Sequence, residues 1–252
     1  MDGAIGITDA QLAHFERNGF FFVPNPLGAE GVREVDARQQ EVEPVWAQTE
    51  FPGCNRLACQ FLMIGEPLLK MVESPILLEA ARRILGAEDL HVGACGIGDA
   101  SQGRSIRQVY WHVDGGPDVR QVSFRTALAR HDASNAPLRV LPGSHHRSRD
   151  EVEAELMQLE LATGNHEEPP EHCYARHPQE VEVVLDPRWT LIWTPSCWHA
   201  TGLKTGAGPR RAMGWNYFPP GGRKRDVKAV MQLNPEWEDW PEERRRLWGL
   251  DS

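Results

Sequence analysis

The pattern of apolar and polar residues predicts a helical beginning to the chain. Thr8-Asp9-Ala10-Gln11 has the form of a capping box, in which the threonine caps a helix and the glutamine reaches back to it. Gly19 is expected to end this helix, and the apolar run Phe20–Val23 is typical of a buried strand. A second helix is predicted from Ser74-Pro75 to just before Gly86, because its apolar residues recur at helical spacing.

From Leu90 onward the pattern changes to short apolar runs separated by Gly, Pro, Asn and Asp. Such spacing favours a sandwich, a barrel or a jelly roll. The strands that we predict are Ile106–Asp114, Gln121–Ala129, Leu138–Leu141, Val181–Leu185, Trp189–Trp193 and Arg210–Phe218. A further capping box, Ser148-Arg149-Asp150-Glu151, predicts an acidic helix that runs to about Ala162.

We find no motif that we can interpret in two segments, Phe51–Gly65 and Asn165–Gln179. We expect both to be loops that determine which substrate is bound. Asn165–Gln179 is either a cover over an active site or a plain surface loop. No repeat and no long linker interrupts the sequence. We therefore predict one domain over residues 1–252, with a helical part at about 1–89, a jelly-roll core at about 90–220 and a helical tail.

Composition narrows the class of protein. The chain carries 27 Lys and Arg against 36 Asp and Glu, a net charge of −9, which disfavours nucleic acid as a partner. No apolar stretch approaches the roughly 20 residues that span a bilayer, and no secretory signal opens the chain, so we expect a cytoplasmic protein with no membrane partner. The scattered cysteines indicate reduced thiols, neither disulfides nor a thiolate zinc site. Oligomeric state cannot be read from the sequence.

A candidate metal site begins at Tyr110-Trp111-His112-Val113-Asp114. Residues two apart on a strand point to one face, so His112 and Asp114 are expected to project together. An imidazole beside a carboxylate can bind a divalent metal, but two ligands are too few. Taken alone, the pair is more often explained by a hydrogen-bonded histidine at a strand end than by a metal site.

A third ligand is expected at Trp198-His199, which follows an apolar strand and a turn. Two histidines and one carboxylate on one face of iron(II) form the facial triad, which leaves neighbouring coordination positions open. Dioxygen and a co-substrate need those positions, whereas a closed zinc site has none. We therefore predict that His112, Asp114 and His199 bind iron and form the catalytic centre.

Eleven residues after His199 comes the pair Arg210-Arg211. A buried arginine beside the metal could bind the far carboxylate of a dicarboxylic acid through two hydrogen bonds. We favour Arg210, and the alternative is a register in which Arg211 has this role.

The sequence resembles the phytanoyl-CoA dioxygenase family of iron(II)- and 2-oxoglutarate-dependent oxygenases over most of its length. Thr8–Phe20 is similar to the family's opening helix and strand, and His112-Val113-Asp114 and Trp198-His199 match its metal ligands. Asn135-Ala136-Pro137-Leu138 resembles its N-G-P-L stretch, with Ala136 in place of the usual glycine, and Leu141–His145 resembles its P-G-S-H stretch. Pro209-Arg210 matches the arginine that binds the 2-oxoglutarate C5 carboxylate.

The resemblance implies a mainly β fold with flanking helices, a double-stranded β-helix of the jelly-roll or cupin type. It implies a hydroxylase-type dioxygenase that uses iron(II), 2-oxoglutarate and O2. The acidic surface and compact size favour a small-molecule substrate, with secondary metabolism as the favoured setting. Related halogenases have Gly or Ala in place of Asp114, so halogenation is disfavoured. Desaturation, epimerisation and cyclisation start from the same hydrogen abstraction and stay open.

Other residues complete the set of candidates for co-substrate binding. Gln108 alternates with Tyr110 and His112, and Arg125 shares a strand face with Ser123 and Ala127, so each could line the cavity. A solvent-facing Arg125 is the alternative. Thr190, on the strand that leads to His199, is the remaining candidate.

Two rival functions stay open at this point. The first is a silent small-molecule-binding module of the same fold, and the second is a cupin-type metalloenzyme that does not use 2-oxoglutarate. Retention of all four residues His112, Asp114, His199 and Arg210 speaks against the first rival. The arginine after the distal histidine speaks against the second.

Overall fold

Two antiparallel β-sheets face each other in a computed structural model of the protein, with helices packed against the larger sheet. The structure describes residues 6–46, 56–99, 110–114, 119–161, 163, 175–222 and 227–250. Facing antiparallel sheets built from eight strands are the architecture of a jelly roll. The predicted fold class is confirmed.

Most of the described helices lie in the first part of the chain, and apolar spacing with end signals predicted the first and the fifth of them. Their bounds are α1 (Asp9–Asn18), α2 (Gly28–Trp46), α3 (Arg56–Ile64), α4 (Glu66–Val72), α5 (Pro75–Leu85), α6 (Arg149–Gln158), α7 (Lys228–Leu233) and α8 (Glu242–Leu247). Both capping boxes are present, at Thr8 with Gln11 and at Ser148 with Glu151. None of the helices in this described part is long and apolar enough to cross a lipid bilayer.

The strands form a five-stranded and a three-stranded sheet. Their bounds are β1 (Phe20–Pro24), β2 (His91–Asp99), β3 (Val122–Ala127), β4 (Leu138–Val140), β5 (Val181–Val183), β6 (Trp189–Trp193), β7 (His199–Thr201) and β8 (Arg211–Phe218). The larger sheet has the order β1-β6-β3-β8-β2 and the smaller sheet the order β5-β4-β7. Every pairing between these strands is antiparallel.

The two faces of the five-stranded sheet pack against different partners. One face carries Phe124, Ile192 and Trp215, which join the helices in the largest apolar cluster. The other face carries Ala127, Leu191 and Trp193, which pack against Leu138, Val140 and Val183 of the smaller sheet. We call these the helix face and the inner face, and the candidate site lies on the inner side.

The segment around His112 extends the smaller sheet beyond β7. His112 pairs with His199 in an isolated antiparallel bridge, on the side of β7 that is opposite to β4. Helix α6 covers the outer face of this sheet through a cluster that includes Trp111, Val152, Leu156 and Trp198.

Three predicted boundaries are wrong or only partly tested. Residues 110–114 form isolated bridges instead of the end of a strand Ile106–Asp114, because their pairing is limited to His199 and Thr163; residues 106–109 lie outside the described part. The acidic helix ends at Gln158, not near Ala162, because Glu160 adopts a left-handed φ of 57° that turns the chain away. Phe51–Gly65 is not a loop throughout, since Arg56–Ile64 is helix α3.

Candidate metal centre

The backbone places two imidazoles side by side. The amide of His112 donates to the carbonyl of His199 at 2.9 Å, and the reverse bond is also 2.9 Å long. Two residues that exchange both hydrogen bonds in an antiparallel pair lie directly opposite each other, with side chains on the same face. The ring centroids of His112 and His199 are accordingly 4.2 Å apart.

Each imidazole is held by the backbone two residues before it. Nδ1 of His112 lies 2.7 Å from the carbonyl oxygen of Tyr110, and Nδ1 of His199 lies 2.8 Å from that of Cys197. A carbonyl oxygen only accepts, so Nδ1 carries the hydrogen and donates in both rings. The lone pair is then on Nε2, which is the arrangement that second-shell hydrogen bonds impose on metal-binding histidines.

Asp114 completes the cluster. Its carboxylate lies 3.9 Å from Nε2 of His112 and 3.4 Å from Nε2 of His199. The backbone amide of Asp114 donates to the carbonyl of Pro195 at 2.9 Å, which ties the segment to the turn that precedes His199. One ligand atom from each of the three side chains lies within 4.8 Å of the others.

The protonation states suit a cation. Burial and the neighbouring His199 lower the pKa of His112, so its imidazole is neutral near pH 7 and its lone pair is available. Burial raises the pKa of Asp114, but the neighbouring His199, with His112 and Arg125, outweighs that effect and lowers it overall. A carboxylate with two imidazoles is a donor set for a divalent transition metal.

The cluster is open on one side. The side chain of His199 is buried, that of His112 is partly exposed at 29%, and that of Asp114 is exposed at 59%. Three protein ligands with one accessible side leave coordination positions for further ligands, as in oxygenase sites and unlike closed structural zinc sites. The residues present therefore fit an iron(II) ion.

Arg210 has the properties of a buried carboxylate-binding group. Only 6% of the residue is exposed, and its Nε donates to the carbonyl of Ala136 at 2.8 Å. Its Nη2 is buried and has no hydrogen-bond partner among the residues that the structure describes. Burial, followed by the charge of Arg125, lowers the pKa of Arg210 to about 9. A buried cation with an unused donor is costly unless an anion binds to it.

The neighbouring residues Arg210 and Arg211 lie on opposite sides of the five-stranded sheet. Arg211 lies on the helix face with Met213 and Trp215, and its Nε is 2.6 Å from Asp36 of α2. Alternation places Arg210 on the inner side, toward Ala136 and Arg125. The geometry thus favours Arg210 over Arg211 as the co-substrate residue.

Ala136, which carries the carbonyl that holds Arg210, has an unusual backbone. It is fully buried and adopts a φ of 49° in the left-handed region. This region favours glycine, because a Cβ atom there approaches the following carbonyl oxygen. The conformation gives a physical reason for the glycine found at this point in the resembling family.

Arg125 faces inward, so the solvent-facing alternative is wrong. On β3 it stands opposite Leu191 of β6 and Gly214 of β8, and its guanidinium lies 5.7 Å from the ring centroid of Trp193. Its charge acts on His112, Asp114 and Arg210, so it lies near both the triad and the buried arginine.

Thr190 is not brought to this site. It shares the helix face with Ile192, and its hydroxyl is 2.8 Å from that of Thr126 in a fully buried pair. The prediction fails because alternation along β6 turns Thr190 away while Leu191 and Trp193 face inward. Gln108 lies outside the described residues.

Several contributing groups were not anticipated from the sequence. The carbonyls of Tyr110 and Cys197 orient the histidines, and only the i−2 offset could have indicated them. His131 is 1% exposed and lies near both arginines, whose charges act with burial to lower its pKa to about 3. No sequence pattern marks His131.

Trp111 connects the centre to a buried polar network that was also not anticipated. The guanidinium of Arg139 lies 5.3 Å from the Trp111 ring centroid and forms a 2.6 Å ion pair with Glu180. The ring of His177 contacts the same tryptophan edge to face, and its Nε2 is 3.2 Å from Glu155 of α6. These contacts brace the residue next to His112 from behind.

Two facing sheets with an open His-Asp-His cluster define a jelly-roll protein with a candidate facial-triad metal centre. Residues 15–212 match the model of the phytanoyl-CoA dioxygenase (PhyH) family, and the chain belongs to this family. The ectoine dioxygenase of Bordetella parapertussis is 30% identical over 159 residues, which make up 56% of this chain and 51% of that protein. The chain thus spans about half the length of this relative.

Solved structures share the fold at lower identity. HygX from Streptomyces hygroscopicus, with nickel and 2-oxoglutarate bound, has a TM-score of 0.66 at 16% identity and covers 86% of this chain and 88% of its own. SnoK, a non-heme alpha-ketoglutarate-dependent carbocyclase from nogalamycin biosynthesis, has a TM-score of 0.65 at 18% identity and covers 90% of each chain. These likenesses establish the double-stranded β-helix fold.

Proposed function

We propose that the protein is an iron(II)- and 2-oxoglutarate-dependent dioxygenase that oxidises a C–H bond of a small molecule. The observation that carries the proposal is the convergence of two Nδ1-tethered imidazoles and a carboxylate within 4.8 Å. Nearby is a buried arginine whose Nη2 has no hydrogen-bond partner in the described part of the chain. Membership of the PhyH family and the ectoine dioxygenase relative support the same chemistry. So does 2-oxoglutarate bound in HygX.

Each residue has a separate role in the proposed reaction. His112, Asp114 and His199 would hold iron, with the tethered Nδ1 atoms aiming both Nε2 lone pairs at it. Arg210 would bind the C5 carboxylate of 2-oxoglutarate through its free donors. When bound, the metal supplies oxidation of the substrate by O2 coupled to decarboxylation of 2-oxoglutarate to succinate and carbon dioxide.

Hydroxylation is the outcome that the site favours. Asp114 is present and its pKa is lowered, so a carboxylate stands at the position that halide would need. SnoK is named a carbocyclase, which makes ring formation the second candidate outcome within this fold. Product analysis with a substrate would separate a gain of one oxygen atom from a loss of two hydrogens.

The proposal is tested by succinate release from protein loaded with iron(II) under air. We expect succinate to form from 2-oxoglutarate slowly without a primary substrate and faster with an accepted one. His199→Ala should abolish turnover and iron retention, because one of three ligands is lost. His14→Ala, on the exposed surface of α1, is the matched control and should retain both.

Two results would contradict this function. A silent binding module would retain iron but release no succinate with any substrate. A cupin-type enzyme of other chemistry would turn over a substrate without 2-oxoglutarate, and 2-oxoglutarate would leave the absorption spectrum of the bound iron unchanged.

A further inference from the structure

The inner face contains one more cation than the proposed cofactors require. Arg210 and Arg125 both lie there, and the charge of Arg125 acts on Arg210. Within the described residues no carboxylate influences Arg210, and only Asp114 influences Arg125. The carboxylate of Asp114 is committed to the metal in the proposed function, so Arg125 then lacks a counter-charge.

The described residues around Arg125 offer no substitute partner. Its cross-strand neighbours on the inner face are Leu191, which is apolar, and Gly214, which has no side chain. Arg139 and Arg211, by contrast, form close ion pairs with Glu180 and Asp36. A guanidinium has five N–H donors, and in Arg125 no described protein group accepts from them.

The formal charges of the groups in the proposed site leave one positive charge without an anion. Iron(II) brings two positive charges and Arg210 one, while Asp114 contributes one negative charge and 2-oxoglutarate two. These four groups sum to zero, and the neighbouring histidines His112 and His131 are neutral. Arg125 therefore leaves one uncompensated positive charge in a partly buried site, which is unfavourable until an anion enters.

We propose that Arg125 is a specificity-determining residue that binds an acidic group, a carboxylate or its equivalent, on the primary substrate. The inference rests on the proposed function and adds the substrate class to it. The ring of Trp193 under the guanidinium would hold Arg125 in place, since arginine stacks favourably on aromatic faces. The adjoining surface of Leu191 is apolar, so the acceptable substrate is an acid with an apolar portion next to its charge.

The experiment compares an anion with its neutral analogue on protein loaded with iron(II) and 2-oxoglutarate without oxygen. Acetate and acetamide serve as the probes at matched ionic strength, and the readout is the melting temperature. We expect acetate to raise the melting temperature and acetamide to raise it less. Arg125→Met should remove the difference, Arg125→Lys should retain part of it, and the exposed Arg149→Met should retain all of it.

A second measurement separates this inference from co-substrate binding. The dissociation constant of 2-oxoglutarate is determined from the absorption of the iron complex, and Arg125→Met should change it less than threefold. An increase as large as that caused by Arg210→Met would assign Arg125 to the co-substrate and overturn the inference. So would an acetate response in Arg125→Met that equals that of the unmodified protein.

A different experimental result would contradict the proposed function itself. If 2-oxoglutarate leaves the iron absorption unchanged in the unmodified protein, the dioxygenase proposal is lost. The acetate comparison can then still be made with iron alone, and it reports on Arg125 independently.

Discussion

The arginines on the helix face and on the inner face of the five-stranded sheet differ in whether a described carboxylate pairs with them. On the helix face, Arg211 is paired with Asp36, and the Thr126 and Thr190 hydroxyls bond to each other. On the inner face, Arg210 retains a buried donor without a partner, and Arg125 lacks an ion pair with any described residue. Neighbouring residues of one chain, Arg210 and Arg211, fall on the two sides of this division.

The difference separates side chains that stabilise the fold from side chains that are available to bind a ligand. Buried polar groups are normally satisfied within the fold, because an unpaired one costs free energy. Two arginines without an ion pair among the described residues, next to a metal-binding geometry, are the pattern expected where ligands complete a site. The helix face serves as the support that holds this unsatisfied side in position.

The largest expected effect is the difference between Arg210→Met and Arg211→Met in the dissociation constant of 2-oxoglutarate. Arg210→Met should raise the dissociation constant of 2-oxoglutarate by roughly ten- to a hundredfold, the value of charged hydrogen bonds. Arg211→Met should leave it nearly unchanged. Titration of iron-loaded protein under anaerobic conditions measures both.

The same two variants should have the opposite order of effects on the free energy of unfolding, as measured with urea. Without ligand, Arg210→Met should leave the free energy of unfolding unchanged or raise it, because an unpaired buried charge is removed. Arg211→Met should lower it by about 1–3 kcal/mol, since Asp36 loses its partner. If Arg211→Met instead raised the 2-oxoglutarate requirement, the register assigned to β8 would be wrong.

His131 offers a pH test of the inner face. Its pKa is about 3 in the folded protein against 6.5 normally, so the unfolded chain binds a proton more readily between these values. The free energy of unfolding is therefore unaffected by this group above about pH 6.5. It falls by about a few kcal/mol as the pH decreases from there toward 3.

His131→Gln should therefore flatten the decline of the free energy of unfolding between pH 6.5 and 4. Urea unfolding at several pH values measures the slope for both proteins. The exposed His14→Ala is the control and should keep the original slope. Equal slopes for His131→Gln and the unmodified protein would show that the imidazole titrates normally in the fold.

The smallest expected effect is on the helix face. Thr190→Val leaves the buried Thr126 hydroxyl without its partner and should lower the free energy of unfolding by about 1–2 kcal/mol. The double variant Thr126→Val with Thr190→Val should recover part of that loss, since neither hydroxyl then stays unpaired. The 2-oxoglutarate dissociation constant should stay unchanged throughout, and an increase would return Thr190 to the site.

Local features of the fold were predictable because adjacent residues encode them. The capping boxes at Thr8 and Ser148 depend on residues three apart, and the β6 boundaries Trp189–Trp193 follow from one apolar run. The end of α6 was misplaced because the left-handed Glu160 has no sequence signal. The extent of a single domain over residues 1–252 stays a prediction.

The sequence by itself determined which groups the centre contains: two histidines, Asp114 and an arginine eleven residues after the second histidine. Only the tertiary structure decided how they meet, because the bridge between His112 and His199 joins segments 87 residues apart. It also decided that Arg125 and Arg210 face inward while Arg211 and Thr190 face the helices. A strand alternates its faces at every residue, so a shift of one position in register reverses them, and register is set by pairing with distant strands.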